Sequence, residues 1–168
     1  VDVALKALDG EYTCARGGYN AVSIVALGGP GSFCVIPRAF MERIAVGSDV
    51  RGVVDIQEPP EINIQRVARA KEKYVEDLTV CVLDNELNRD LVERIRKTGA
   101  RIRYISDGDI SGTVSAALEE SPVDIMMGVG GTRESVLSAA AIKCLDGNMQ
   151  ARLLFGDDRE RDMAGELG

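Results

Sequence analysis

The stretch VDIMMGVGGTRESVLSAAAIKCLDGNMQARL, residues 123–153, decides the fold. Its first half is an apolar run closed by a glycine turn, which predicts a buried strand. Residues 132–145 predict a helix, and MQARLLF after Gly147 predicts a further strand. A strand turning tightly into a helix that returns to another strand is the unit of α/β layering. Glycines ahead of a helix ordinarily suit a bound phosphate, because free N–H groups and the positive end of the helix dipole attract anions. Glu134, in the first turn, carries the opposite sign, so the same stretch raises the functional question.

Working outward, the pattern repeats. LTVCVLD predicts a buried strand, and Leu87, Leu91, Val92 and Ile95 make an apolar stripe on a helix stopped at Thr98-Gly99. RIRYIS alternates as a strand, and the turn SDGD leads into a helix over 110–119. A helix over 61–74 follows the prolines of QEPPE. Nearer the start, AVSIVALG predicts a strand, GGPGS a turn, and SFCVIP the antiparallel return strand of a hairpin. That hairpin could also belong to a neighbouring sheet. The tail GDDRERDMAGELG suits a solvated helix or a ragged end. The expectation is an α/β sandwich, one domain over 1–168, with helices covering a mostly parallel or mixed sheet.

Composition narrows the function. Twenty Lys and Arg stand against 27 Asp and Glu, a net charge of −7, which argues against a nucleic-acid partner. The absence of histidine excludes imidazole bases, Ser-His-Asp triads and His-containing metal sites. Cys14, Cys34, Cys81 and Cys144 lack C-x-x-C spacing, and reduced, buried thiols in a cytoplasmic protein are expected. No apolar run approaches the roughly 18 residues of a membrane span, nor is there a signal-peptide pattern, so a soluble protein without a membrane partner is expected.

Chemistry then rests on three acidic clusters near strand ends: Asp9 with Glu11, Asp107 with Asp109, and Glu134. Ligands of open α/β sheets bind at the carboxyl ends of strands, so the last two clusters can share a crevice, and convergent carboxylates favour Mg²⁺ or Mn²⁺. Plainer roles exist for each. Asp107-Gly108 and Asp9-Gly10 are common turn dipeptides, Asp109 is suited to capping the following helix, and the dipole alone favours Glu134. GVGG is not a dinucleotide loop, because Arg133 stands where G-x-G-x-x-G needs its last glycine, and no P-loop pattern occurs. The backbone at Gly131 and Thr132 could still hold a sugar oxygen or a phosphate.

GARIRYISDGDISG, VDIMMGVGGTRESVLSAAAIKCLDGNMQARL and FMERIAVG together resemble the class II, GlpX-type fructose-1,6-bisphosphatases. The resemblance runs through nearly the whole chain, which would form the central part of a longer sugar bisphosphatase. It implies the lithium-sensitive phosphatase type of α/β sandwich, in a cytoplasmic, homo-oligomeric enzyme of gluconeogenesis. It also implies Mg²⁺- or Mn²⁺-dependent removal of the 1-phosphate of fructose 1,6-bisphosphate, with sedoheptulose 1,7-bisphosphate a second substrate in some members. Carried over by position, Glu134 falls on a metal-binding glutamate, Asp107-Gly108-Asp109 on a substrate-contacting D-G-D, and Gly131 on a substrate-contacting glycine.

There are departures from the family pattern. V-D-P-[IV]-[DE]-G-T becomes LKALDGE, so Asp9 keeps the second acidic position, for metal binding and catalysis, while Lys6 replaces the first. An ammonium there would repel a cation. Glu11 takes the threonine's place, with proton acceptance from water as its expected catalytic role. Phe40 replaces a tyrosine, and Asn85, Glu86, Leu87 and Asn88 replace a basic segment expected near phosphate. Arg133, at the family's proline, is expected to supply a compensating charge to substrate. Two alternatives remain beside catalysis: a non-catalytic remnant or interaction domain of the same fold, and, on α/β alternation alone, a nucleotide-binding module.

Overall fold

The computed structural model describes residues 1–166, without the side chains of Asp158, Glu160, Met163 and Glu166. The C-terminal half follows the predicted order. β4 (Thr79–Leu83), α3 (Arg89–Thr98), β5 (Arg101–Ile105), α4 (Asp109–Ser115), β6 (Ile125–Gly131), α5 (Thr132–Cys144) and β7 (Asn148–Leu154) succeed one another. Ahead of them come β1 (Asp2–Asp9), α1 (Glu11–Ala15), β2 (Val22–Gly28), β3 (Phe40–Val46) and α2 (Pro60–Ala70). The tail's expected helix is α6 (Asp158–Glu166), while residues 167 and 168 lie outside the described residues.

Five strands form a mixed sheet in the order β5-β4-β6-β3-β7. β4 runs parallel to β5 and β6, and β3 is antiparallel to both β6 and β7. Strand alternation sorts the core onto two faces. Ile44, Val46, Val80 and Ile125 point to the side that buries Ile64 and Val67 of α2 and Ile95 of α3. Ala45, Cys81 and Met126 point to the other, with Ala116 and with Ile142 of α5. Fully burying each such Ile or Val contributes about 1.5–3 kcal/mol relative to leaving it exposed. The result is a layered α/β sandwich with a mixed sheet.

Three expectations for the first half change. SFCVIP forms no strand; β2 pairs antiparallel with β1 instead, from Asp2 opposite Gly28 to Asp9 opposite Val22, as a separate two-stranded sheet. Residues 2–9 offer a longer ladder than a segment whose Pro37 has no N–H to donate. The strand β3 was not foreseen, because Glu42 and Arg43 interrupt its apolar run. The helix expected over 61–74 stops at Ala70, where Lys71 has φ −85 and ψ 0 and Glu72 has φ 53. The helix expected over 110–119 likewise ends at Ser115. Of the cysteines, only Cys81 is buried; Cys14, Cys34 and Cys144 are exposed and free, contrary to the expectation of buried thiols. Among the described residues no helix is long and apolar enough to cross a membrane.

The β1–β2 ribbon has an unusual polarity. Val3, Leu5, Val25 and Leu27 are exposed, while Ala4, Lys6 and Leu8 turn inward and Asp9 is buried. The alternation turns Lys6 inward, and a register shift in the β1–β2 ladder between Lys6 and Asp9 brings Asp9 to the same side, toward the sheet's carboxyl edge.

Candidate functional site

Four chain segments meet at that edge: the end of β1, the turn after β5, the junction of β6 with α5, and the start of β3. Asp9, 1% exposed, accepts a hydrogen bond from the backbone N–H of Ile110 in the first turn of α4 (3.0 Å), which docks β1 onto that helix. Asp107 accepts from the N–H of Tyr12 (2.8 Å) and of Gly108 (2.8 Å), so its carboxylate ties α1 to the SDGD turn. Gly108 has φ +79 in the left-handed region, and a Cβ there would lie 3.0 Å from the Asn20 carbonyl, so glycine is needed on both counts.

Asp109 does not cap α4; the N-cap residue is Gly108, without a side-chain cap. The Asp109 carboxylate instead turns inward and pairs with Arg43 of β3 (2.8 Å), both side chains being almost wholly buried, 7% and 1% exposed. Arg43 Nε and Nη1 are buried with no protein partner. Sequence reasoning missed Arg43. Its signal was a single cation sharing a strand face with Met41 and Ala45, which burial tolerates only beside a carboxylate.

At the glycine turn, Lys6 Nζ donates to Glu134 Oε1 and lies 3.6 Å from Asp9 Oδ1. The ammonium therefore stands between the two carboxylates expected to hold a metal. A Cβ on Gly131 would fall 2.3 Å from Glu134 Oε2, and one on Gly130 would fall 2.0 Å from Arg43 Nη2 and 2.5 Å from Asp109 Oδ2. These two glycines thus make room for charged side chains folded against the strand.

The electrostatics follow from this packing. Burial pushes the Asp9 carboxyl above its usual value, against the Ile110 N–H and Lys6, and Asp109 and Asp107 add to the push. Burial would also raise Glu134, but the Lys6 hydrogen bond, its own backbone N–H and the charges of Lys6 and Arg43 together hold it below its usual range. Burial pulls Lys6 down, and Glu134 and Asp9 more than offset it, so its ammonium is held more firmly than usual.

A groove of about 1030 Å³ opens beside this cluster, lined by Lys6, Glu11, Arg38, Phe40, Arg133 and Glu134 among others. Glu11 is exposed at the start of α1, and Arg38 and Arg133 are exposed without an ion-pair partner among the described residues. Thr132 N–H donates to the Ala39 carbonyl (3.1 Å) and Ala39 N–H to Thr132 Oγ1 (3.3 Å), tying the segment ahead of β3 to the start of α5. DNELNRD lies away from this groove and has a structural task. Asn88 donates to the carbonyls of Leu83 and Val129 and accepts from Val129 N–H, clasping β4 to β6.

The divalent cation implied by the resemblance can be tested against these residues. Among the described residues no group of three or more His, Cys, Asp or Glu converges to hold a metal. Hard cations need several oxygen ligands, and here two carboxylates meet around an ammonium. As they stand, these residues do not fit a divalent ion.

Comparison with known proteins points to one family. The profile of bacterial fructose-1,6-bisphosphatase, glpX-encoded, matches residues 1–168. The class 2 fructose-1,6-bisphosphatase of Haemophilus influenzae is 40% identical over 162 residues, covering 96% of this chain and 49% of that protein. A D-fructose 1,6-bisphosphatase class 2/sedoheptulose 1,7-bisphosphatase of Synechococcus sp. (strain JA-3-3Ab) is 35% identical over 155 residues, 92% of this chain and 45% of that protein. The chain spans about half the length of these curated relatives.

Proposed function

The chain belongs to the bacterial, glpX-encoded fructose-1,6-bisphosphatase family, and from that premise we propose that it serves hydrolysis of a sugar bisphosphate, as the central part of a longer enzyme. The substrate is fructose 1,6-bisphosphate at its 1-phosphate, with sedoheptulose 1,7-bisphosphate as a second. The observation that carries the proposal is the meeting of Asp9, Glu134, Lys6 and the Arg43–Asp109 pair at the sheet's carboxyl edge, where Lys6 and Glu134 line the groove and the others are buried behind them.

Each side chain then has a task. Arg133 binds a phosphate group in the groove, where its guanidinium has no ion-pair partner among the described residues. Asp107, half-buried in the turn, opens onto a second cavity lined also by Asn20, Arg103 and Ser111, where it accepts from a sugar hydroxyl, and Gly108 shapes that turn against the Asn20 carbonyl. Asp109 acts through Arg43, whose orientation it fixes. Gly131 allows Glu134 to fold toward the phosphate end, where Glu134 and Asp9 hold positive charge against the transferring group. Glu11, exposed beside the groove, accepts a proton from the attacking water.

Membership of this phosphatase family carries a divalent-cation dependence in general. Mg²⁺ or Mn²⁺ is the finer proposal, from the hardness of carboxylate oxygen, and in the longer enzyme such an ion would take ligands other than the Asp9–Glu134 pair, whose centre Lys6 fills. A cytoplasmic homo-oligomer completes the proposal.

One observation favours a second reading, a non-catalytic form of the same fold: Lys6 stands where a metal-bridging carboxylate is expected. Phosphate release from fructose 1,6-bisphosphate, with and without Mn²⁺, separates the two when run on this chain and on any longer parent. Release by the longer parent supports hydrolysis. A folded parent that releases none supports the non-catalytic reading.

A further inference from the structure

We propose that Lys6 is a tethered replacement for a divalent cation: its ammonium occupies the place between Asp9 and Glu134, and this carboxylate pair assembles without taking up metal. Only the choice of ion rests on the phosphatase reading; the geometry stands apart from it.

Lys6 is held in position by the strand that carries it. On β1 the alternation puts Val3 and Leu5 outside and Lys6 inside, so the side chain starts out aimed at the sheet edge. At the far end its Nζ donates to Glu134 and sits 3.6 Å from Asp9. Both carboxylates are shielded from water, with side-chain exposures of 2% for Asp9 and 21% for Glu134, so each needs a nearby positive charge. Lys6 supplies it to both.

Arg43 neutralises Asp109 in the same cluster. Around Lys6 itself, Asp9 and Glu134 share one ammonium, leaving one net negative charge in place of the several that attract a hard ion. A divalent ion entering between Asp9 and Glu134 would meet the ammonium at contact distance and, among the described residues, would find no third carboxylate to complete its shell. The Lys6 side chain fills the position and repels the ion at once.

The test uses Mn²⁺ itself, read by the loss of its free-ion electron paramagnetic resonance signal and by thermal unfolding with and without MnCl₂. For the wild-type chain the free-ion signal stays undiminished and the unfolding temperature does not respond to the ion. Lys6→Asp takes up Mn²⁺ at least about ten-fold more tightly and gains a Mn²⁺-dependent rise in unfolding temperature, because three carboxylates now converge. Folding of Lys6→Asp only in the presence of Mn²⁺ supports the proposal equally. If that variant folds under neither condition, Lys6→Gln decides: uptake above wild type supports the proposal, and uptake equal to wild type overturns it. Wild-type binding of Mn²⁺ that disappears in Glu134→Gln overturns it too, as does a folded Lys6→Asp that binds no better than wild type. No substrate enters this measurement, so a failure to release phosphate would strike the phosphatase reading and leave this result standing.

Discussion

Replacing Arg43 with methionine removes the charge opposite Asp109 while keeping an unbranched side chain of similar reach. The two side chains are 1% and 7% exposed and meet at 2.8 Å, so solvent screens them little. With charge centres about 4 Å apart and an effective dielectric near 20, their attraction is about 4 kcal/mol. Removing one member of a buried pair costs about 3–5 kcal/mol, because the survivor is left uncompensated. Asp109→Asn placed on top of Arg43→Met should recover most of that loss, since an amide needs no counter-charge. Urea unfolding measures it: with a slope of about 2 kcal/mol per molar, the single variant's midpoint falls by roughly 2 M and the double variant's by much less. A loss below about 1 kcal/mol for Arg43→Met, or additive losses in the double variant, would refute the claim that the pair is a coupled, buried unit.

Gly130→Ala should disturb the same pair, because a Cβ there lies 2.0 Å from Arg43 Nη2 and 2.5 Å from Asp109 Oδ2; the loss is about 1–3 kcal/mol by urea unfolding, and a neutral result would show that the pair shifts freely. Thiol labelling of the folded protein at pH 8 should modify Cys14, Cys34 and Cys144 but spare Cys81, whose buried thiol is pushed up to about 11; mass spectrometry of labelled peptides reads this, and prompt labelling of Cys81 would contradict its burial. The Lys6–Glu134 bond also sets a pH window. Lys6 is raised in the fold, so its contribution is complete below the ordinary value of 10.5 and is lost as pH rises through the folded value. Glu134 is lowered, so its contribution is complete above the ordinary 4.5 and is lost as pH falls through the folded value. The stability difference between wild type and Lys6→Gln should be flat between those limits and shrink outside them, and a difference that shrinks at neither extreme would remove the ion pair from the account.

Much of the fold could be seen in the sequence where pattern and burial agree. LTVCVLD and VDIMMGVGG are apolar runs buried on both faces of a sheet, and Gly99, at φ +88, ends α3 where Thr98-Gly99 signals a stop. The first half was harder for a physical reason. In β1 the apolar residues Val3 and Leu5 face outward and Lys6 faces in, the reverse of the usual polarity of a half-buried strand. In β3 the run is broken by Arg43, whose burial depends on Asp109, 66 residues away. Asp107 with Asp109 and Glu134 are expected from the sequence to share a crevice; the fold sets them at one edge together with Asp9, but Asp107 and Glu134 open onto different cavities. The partners that govern them were not legible, since the Asp109–Arg43 and Glu134–Lys6 pairings arise only once the strands and helices pack.

The central claim is that the cluster of Asp9, Lys6 and Glu134 beside the groove belongs to a sugar-bisphosphate hydrolysing site. Its most direct test is inorganic phosphate release from fructose 1,6-bisphosphate by a longer parent, wild type beside Glu134→Gln, with folding of both checked by circular dichroism. Wild type should release phosphate and the variant should fall by about 10²–10³-fold, the range seen when a charge-stabilising group is removed from an active site. Equal release by two folded proteins, or none by a folded wild type, would contradict that claim.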